Sequence, residues 1–137
     1  KGGQLYVACM ETKGFTEHRA AEIFKNMLLA VQSLHKRNIV HRDLKPENFC
    51  FDEDSDGIVQ LIDFGCALNV DDEQAVTGIC GTPSYIAPEV ATPGFLRTGR
   101  VWKASDMWSL GVILFLVLVG RTPFRGSSQL RLVENIK

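Results

Sequence analysis

The residues able to do chemistry together lie in one short string, His41-Arg42-Asp43-Leu44-Lys45-Pro46-Glu47-Asn48, with Asp63-Phe64-Gly65 beginning fifteen residues after Asn48. An acid, a lysine and an amide share one loop, and a second acid follows. That set suits movement of a phosphoryl group, which asks little covalent help of a protein. It needs a carboxylate to orient the attacking hydroxyl, a cation on the transferring oxygens and oxygen ligands for magnesium. Asp43, Lys45, Asn48 and Asp63 supply those parts in that order.

The flanking chain has to hold these groups in register. Thr16 is an N-cap residue, and Ala20, Ile23, Phe24, Met27, Leu28, Val31 and Leu34 then recur at helical spacing. The pattern predicts a helix to about residue 36, its cationic end at the favourable C-terminus. Apolar runs at 48–51 and 58–62 flank Asp52-Glu53-Asp54-Ser55-Asp56-Gly57, which predicts a hairpin. Residues 63–89 are irregular, broken by Gly65, Gly78, Gly81, Pro83 and Pro88. Residues 91–103 read as a surface loop, and 104–119 as a helix apolar almost all round and hence a buried axis. Gly120, Pro123 and Gly126 end it, and another helix starts near Ser127 or Ser128. The fold class is therefore mainly α with short β-hairpins, α+β overall.

At 137 residues the chain has room for one modest domain. It is 45% hydrophobic and 23% charged, which argues against disorder, and its net charge of −1 gives no electrostatic case for a nucleic-acid or membrane partner. The run 110–119 is half the length of a membrane span. Cys9, Cys50, Cys66 and Cys80 are widely spaced with no C-x-x-C pair. They read as reduced thiols of an intracellular protein, cytoplasmic in the first place with the nucleus left open. The chain opens on Lys1-Gly2-Gly3 and stops inside a helical pattern at Lys137, so it reads as a piece of something longer.

The H-R-D-x-x-x-x-N string and D-F-G, followed by Ala87-Pro88-Glu89 and Asp106-Met107-Trp108-Ser109-Leu110-Gly111, resemble the large C-terminal lobe of a eukaryotic protein kinase over essentially the whole chain. The resemblance implies an incomplete kinase domain, 1–137, running from the hinge region to the start of the helix after the central one. It implies ATP and Mg2+ as cofactors and a protein substrate. Asp43 would be the catalytic base, Lys45 would steady the γ-phosphate, and Asn48 and Asp63 would hold magnesium. Thr82 would bond the catalytic Asp and Lys, as in serine/threonine kinases, and Lys45 itself favours that class. Gln4, Glu47 and Cys50 would line the nucleotide, Cys50 beneath adenine. Asp106 would anchor the catalytic loop from below, and His41 and Phe64 would belong to a hydrophobic spine. The stretch from Gly111 to Phe124 and Pro46-Glu47-Asn48-Phe49 resemble the calcium/calmodulin-dependent group, which implies calcium/calmodulin regulation through segments outside this chain.

Several positions depart from that pattern. Gln4 and Leu116 stand where basophilic relatives carry acids, which puts a strong preference for arginine in the substrate in doubt. Gly78 occupies the usual activating phosphorylation position, so activation without that phosphate is expected, with Thr77 as fallback acceptor. Asp52-x-Asp54-x-Asp56-Gly57 matches half an EF-hand loop, but the twelfth place is Asp63 rather than Glu and the flanks are strand-like, so an acidic turn is the favoured reading. His18 and His35 need only solvated or dipole-facing roles, and Cys66 has no function assigned. Glycine-rich loop, strand lysine and αC glutamate all belong to the small lobe, so the alternative to a catalytic fragment is a non-catalytic, kinase-like scaffold.

Overall fold

In a computed structural model, which describes residues 3–52, 58–72, 80–92, 94 and 98–137, the chain is mainly helical with a few short strands. Two helices form its frame, α2 (Glu17–His35) and α4 (Gly99–Val119), after a short α1 (Leu5–Thr12). Between them lie β1 (Ile39–Val40), β2 (Phe49–Phe51), β3 (Val59–Leu61) and β4 (Leu68–Asn69), then α3 (Pro88–Ala91). The chain closes on α5 (Gln129–Ile136), capped by Ser128.

Helix α2 starts where its cap predicts, the Thr16 hydroxyl accepting from the Arg19 amide at 3.3 Å. A side-chain cap of this kind contributes about 1 kcal/mol. Ala20, Ile23, Met27 and Val31 put one stripe inward, against Leu110, Ile113 and Val117 of α4 and Leu5 and Cys9 of α1. Each fully buried aliphatic side chain contributes roughly 1.5–3 kcal/mol. The predicted hairpin is present as β2 and β3, paired antiparallel with Cys50 opposite Gln60. Its strand flanks are those of a hairpin rather than an EF-hand, although residues 53–57 lie outside the described residues.

Four features differ from the sequence reading. Helix α4 begins at Gly99, five residues earlier than expected. The Thr98 side chain caps it, and the wholly buried Trp102 packs with Val40, Leu68 and Val90, pulling residues 99–103 out of the expected surface loop. At 21 residues α4 is long and apolar enough to cross a membrane, which the ten-residue run at 110–119 understated. Its buried Ser105, Asp106 and Ser109, however, find partners inside the fold. Within the stretch read as irregular, β4 pairs antiparallel with β1, Val40 opposite Leu68. Finally, the cysteines are not all reduced: Cys66 and Cys80 form a disulfide, with Cα atoms 6.2 Å apart, while Cys9 and Cys50 are free. Fourteen residues of separation carried no pairing signal, because both ends meet only where the fold lays them against the loop at Arg42.

The end of α4 is tied to the start of α2. Phe15 N–H donates to the Val117 carbonyl at 2.8 Å, and Gly120 caps α4 with φ +71. A Cβ on Gly120 would lie 2.6 Å from backbone atoms of Lys13. Gly120→Ala should therefore cost more than the usual 1–2 kcal/mol of a left-handed non-glycine residue. Thermal unfolding checks this, and an unchanged midpoint would contradict it.

Candidate active site

The H-R-D-x-x-x-x-N string spans the turn from β1 into β2, and its backbone is gripped from beneath. Asp106, on α4 and only 1% exposed, accepts the His41 N–H at 3.0 Å through Oδ2 and the Arg42 N–H at 2.9 Å through Oδ1. His35 Nε2 meets Oδ2 at 2.8 Å. His35 thus belongs to the support of the loop rather than to solvent. No local signal could reveal this, since its partner is 71 residues away. The grip coincides with strain, because Arg42 holds φ +68, a conformation costly for a non-glycine residue. The Arg42 guanidinium lies 5.1 Å from the Trp102 ring centroid, and its Nε donates to the Cys66 carbonyl at 2.7 Å.

Above that support the predicted groups converge. The Thr82 hydroxyl donates to Asp43 Oδ1 at 2.7 Å, and Lys45 Nζ donates to Asp43 Oδ2 at 2.7 Å and to Thr82 Oγ1 at 3.4 Å. Asn48 is buried, and its amide nitrogen donates to the Asp43 carbonyl at 2.9 Å. The Asn48 carbonyl in turn accepts from Ile62 N–H at 2.8 Å, which fixes where Asp63 leaves β3. Asp63 is exposed at φ +60, one carboxylate oxygen accepting from Gly65 N–H at 3.1 Å.

Thr82 reaches Asp43 because Gly81 lets the backbone pass close by. At φ +120, a Cβ on Gly81 would sit 2.8 Å from the Arg42 carbonyl oxygen. Gln4 and Cys50 face each other across a β-bridge, Gln4 exposed and Cys50 half-buried. Glu47 is half-buried, and its Oε2 has no hydrogen-bond partner among the described residues. His41 and Phe64 rings lie 5.4 Å apart. Thr77 and Gly78 fall outside the described residues.

The electrostatics follow from these contacts. Burial pushes the Asp43 carboxyl up, but hydrogen bonds from Lys45 and Thr82, with the Lys45 charge, outweigh it and hold it below the ordinary aspartate value. Lys45 is raised, chiefly by its bond to Asp43 and against partial burial, and the charges of Glu47 and Asp63 add to the effect. At neutral pH the loop therefore presents a carboxylate and an ammonium side by side. With Asn48 and Asp63 contributing hard oxygen atoms, the arrangement can orient a hydroxyl and neutralise phosphate charge.

The whole chain, residues 1–137, matches the protein kinase domain family. The chain belongs to the protein kinase family. This kinase chain is 41% identical over 136 residues to a probable myosin light chain kinase of Dictyostelium discoideum, covering 98% of the chain and 38% of the relative. It is 42% identical over 138 residues to the calcium/calmodulin-dependent protein kinase type II subunit delta of Oryctolagus cuniculus, covering 99% and 25%. It is 38% identical over 136 residues to the serine/threonine-protein kinase PEPKR2 of Arabidopsis thaliana, covering 99% and 27%. The kinase chain thus spans between a quarter and two-fifths of the length of these relatives.

Proposed function

We propose that residues 1–137 form the large C-terminal lobe of a serine/threonine protein kinase, which transfers the γ-phosphoryl of Mg-ATP to hydroxyls of a protein substrate. The observation that carries this reading is the Thr82 hydroxyl joining Asp43 to Lys45. It locks the carboxylate between a donor and a cation, in a chain whose relatives include named serine/threonine kinases.

In this mechanism Asp43 accepts the hydrogen bond of the incoming hydroxyl. Both of its oxygens already accept one bond each, and a carboxylate has capacity for more. A carboxylate with a lowered pKa is a weak base, which suits a loose transition state in which the proton leaves late. Lys45 lies 2.7 Å from the base and places positive charge beside the transferring oxygens. Asn48 and Asp63 would hold magnesium. With the Asn48 side-chain nitrogen committed to the loop, its side-chain amide oxygen Oδ1 is the atom left to meet a cation, and magnesium takes only one or two protein oxygens beside phosphates. Once bound, the ion supplies charge neutralisation on the phosphate oxygens. The Gln4–Cys50 bridge sets two nucleotide-facing candidates side by side, and Glu47 adds a buried oxygen near Lys45. Leu116 is core, so that position offers no second acid to a substrate arginine. The calcium/calmodulin-dependent relative supports regulation of that kind through segments outside this chain.

Labelled ATP and peptides carrying only Ser/Thr or only Tyr as acceptors test the reading on the full-length protein. Label on the Ser/Thr peptide is expected, and label confined to the Tyr peptide would sink it. The pH profile offers a second check. The acid limb due to Asp43 should lie below the ordinary aspartate range, because its folded pKa is depressed. Lys45→Met removes the strongest opposing influence and should move that limb to higher pH. A limb that stays put would mean that Lys45 does not set the charge of Asp43.

A further inference from the structure

The Cys66–Cys80 disulfide is not used by the chemistry above, yet it closes on the catalytic loop from two sides. Cys66 directly follows Gly65 of D-F-G, and its carbonyl accepts from Arg42 Nε at 2.7 Å. Cys80 directly precedes Gly81, whose backbone passes against the Arg42 carbonyl, and Thr82, whose hydroxyl holds Asp43 at 2.7 Å. Both cysteines are half-buried rather than part of the core. Their Cα separation of 6.2 Å lies within the span a disulfide bridges.

We propose that Cys66 and Cys80 are a reversible thiol-modification site, whose oxidation fastens the Gly81-Thr82 loop in the arrangement that orients Asp43. The proposal rests on the kinase reading for its effect on rate. The oxidant is a hydroperoxide. One thiolate attacks a peroxide oxygen, giving a sulfenic acid and hydroxide. The second thiolate then attacks that sulfur, forming the S–S bond and expelling a second hydroxide. The two sulfurs lose two electrons, the peroxide oxygens gain them, and the two thiol protons end in two waters. A dithiol reverses the bond by exchange. Opening it leaves Thr82 held to the loop by its hydrogen bonds to Asp43 and Lys45, without the covalent tie two residues upstream.

The full-length protein, treated with hydrogen peroxide or with dithiothreitol, is digested with a protease that cuts before aspartate. The sequence then places Cys66 in a peptide of residues 63–70 and Cys80 in one of residues 72–105. A cross-link between these two peptides after peroxide, lost after dithiothreitol, is expected. Phosphoryl transfer by the oxidised protein should exceed that of the reduced protein by roughly threefold or more. Cys66→Ser and Cys80→Ser should hold the reduced rate under both treatments. Absence of the cross-link, a rate that is unchanged or lower on oxidation, or a peroxide response that persists in both serine variants would each overturn the proposal. No transfer in either redox state would overturn the kinase reading and the rate effect with it, whereas the mass spectrum still decides whether the modification site exists.

Discussion

Asp43→Asn should lower kcat for phosphoryl transfer by about 10²–10⁴, the contribution typical of a positioned acid–base group. The substitution keeps the size of the side chain but removes its charge. It also turns one acceptor into a donor aimed at either the Thr82 hydroxyl or the Lys45 ammonium, both of which now donate to the carboxylate. The incoming hydroxyl loses its acceptor, and Lys45 loses the partner that raises its pKa. KM for ATP should change far less, since the nucleotide would be held by other groups. Steady-state kinetics on the full-length protein decide it, and a kcat within threefold of the parent would remove Asp43 from its assigned role.

Asp106→Ala should destabilise the fold by about 3–5 kcal/mol, the cost of breaking a buried, hydrogen-bonded charge network. The carboxylate is almost wholly buried and serves three donors at once, the His41 and Arg42 amides and His35 Nε2. Its loss strands the buried His41 amide and the half-buried Arg42 amide, and releases the strained backbone at Arg42. Activity should fall together with stability, because Asp43 is the next residue. Asp106→Asn retains one acceptor oxygen and should fall between the alanine variant and the parent. Thermal unfolding of the three proteins ranks them, and an alanine variant that melts with the parent would mean that the catalytic loop supports itself.

The acid environment adds a linked effect. The depressed folded pKa of Asp43 means that its contribution to stability is present above the unfolded aspartate value and is lost as pH falls through the lowered one. Acid should therefore weaken the loop and its chemistry in the same window.

How much of this was legible beforehand depended on range. Thr16, Ser128 and Gly120 announced helix ends correctly because caps act within three or four residues. The hairpin followed from two apolar runs around an acidic turn. The short α1 showed little more than the pair Leu5 and Cys9, and β1–β4 is a two-residue ladder whose partners lie about thirty positions apart. The early start of α4 was hidden because Gly99 and Gly94 read as loop, whereas burial of Trp102 outweighs the roughly 1 kcal/mol that a helical glycine costs.

The motifs were enough to place the chain in its family and to nominate Asp43, Lys45, Asn48, Asp63 and Thr82 as a candidate site, since these are chemical types at set spacings and a motif is a local property. What holds those candidates in place came only from the packing of distant segments. His35 beneath the loop, the double acceptance by Asp106 and the joining of Cys66 to Cys80 bring together residues 14 to 71 positions apart. Such contacts have no period or neighbouring signal to betray them. The Asp106 contacts exist because a buried carboxylate must find donors, and the fold brings the His41 and Arg42 amides and His35 Nε2 within its reach.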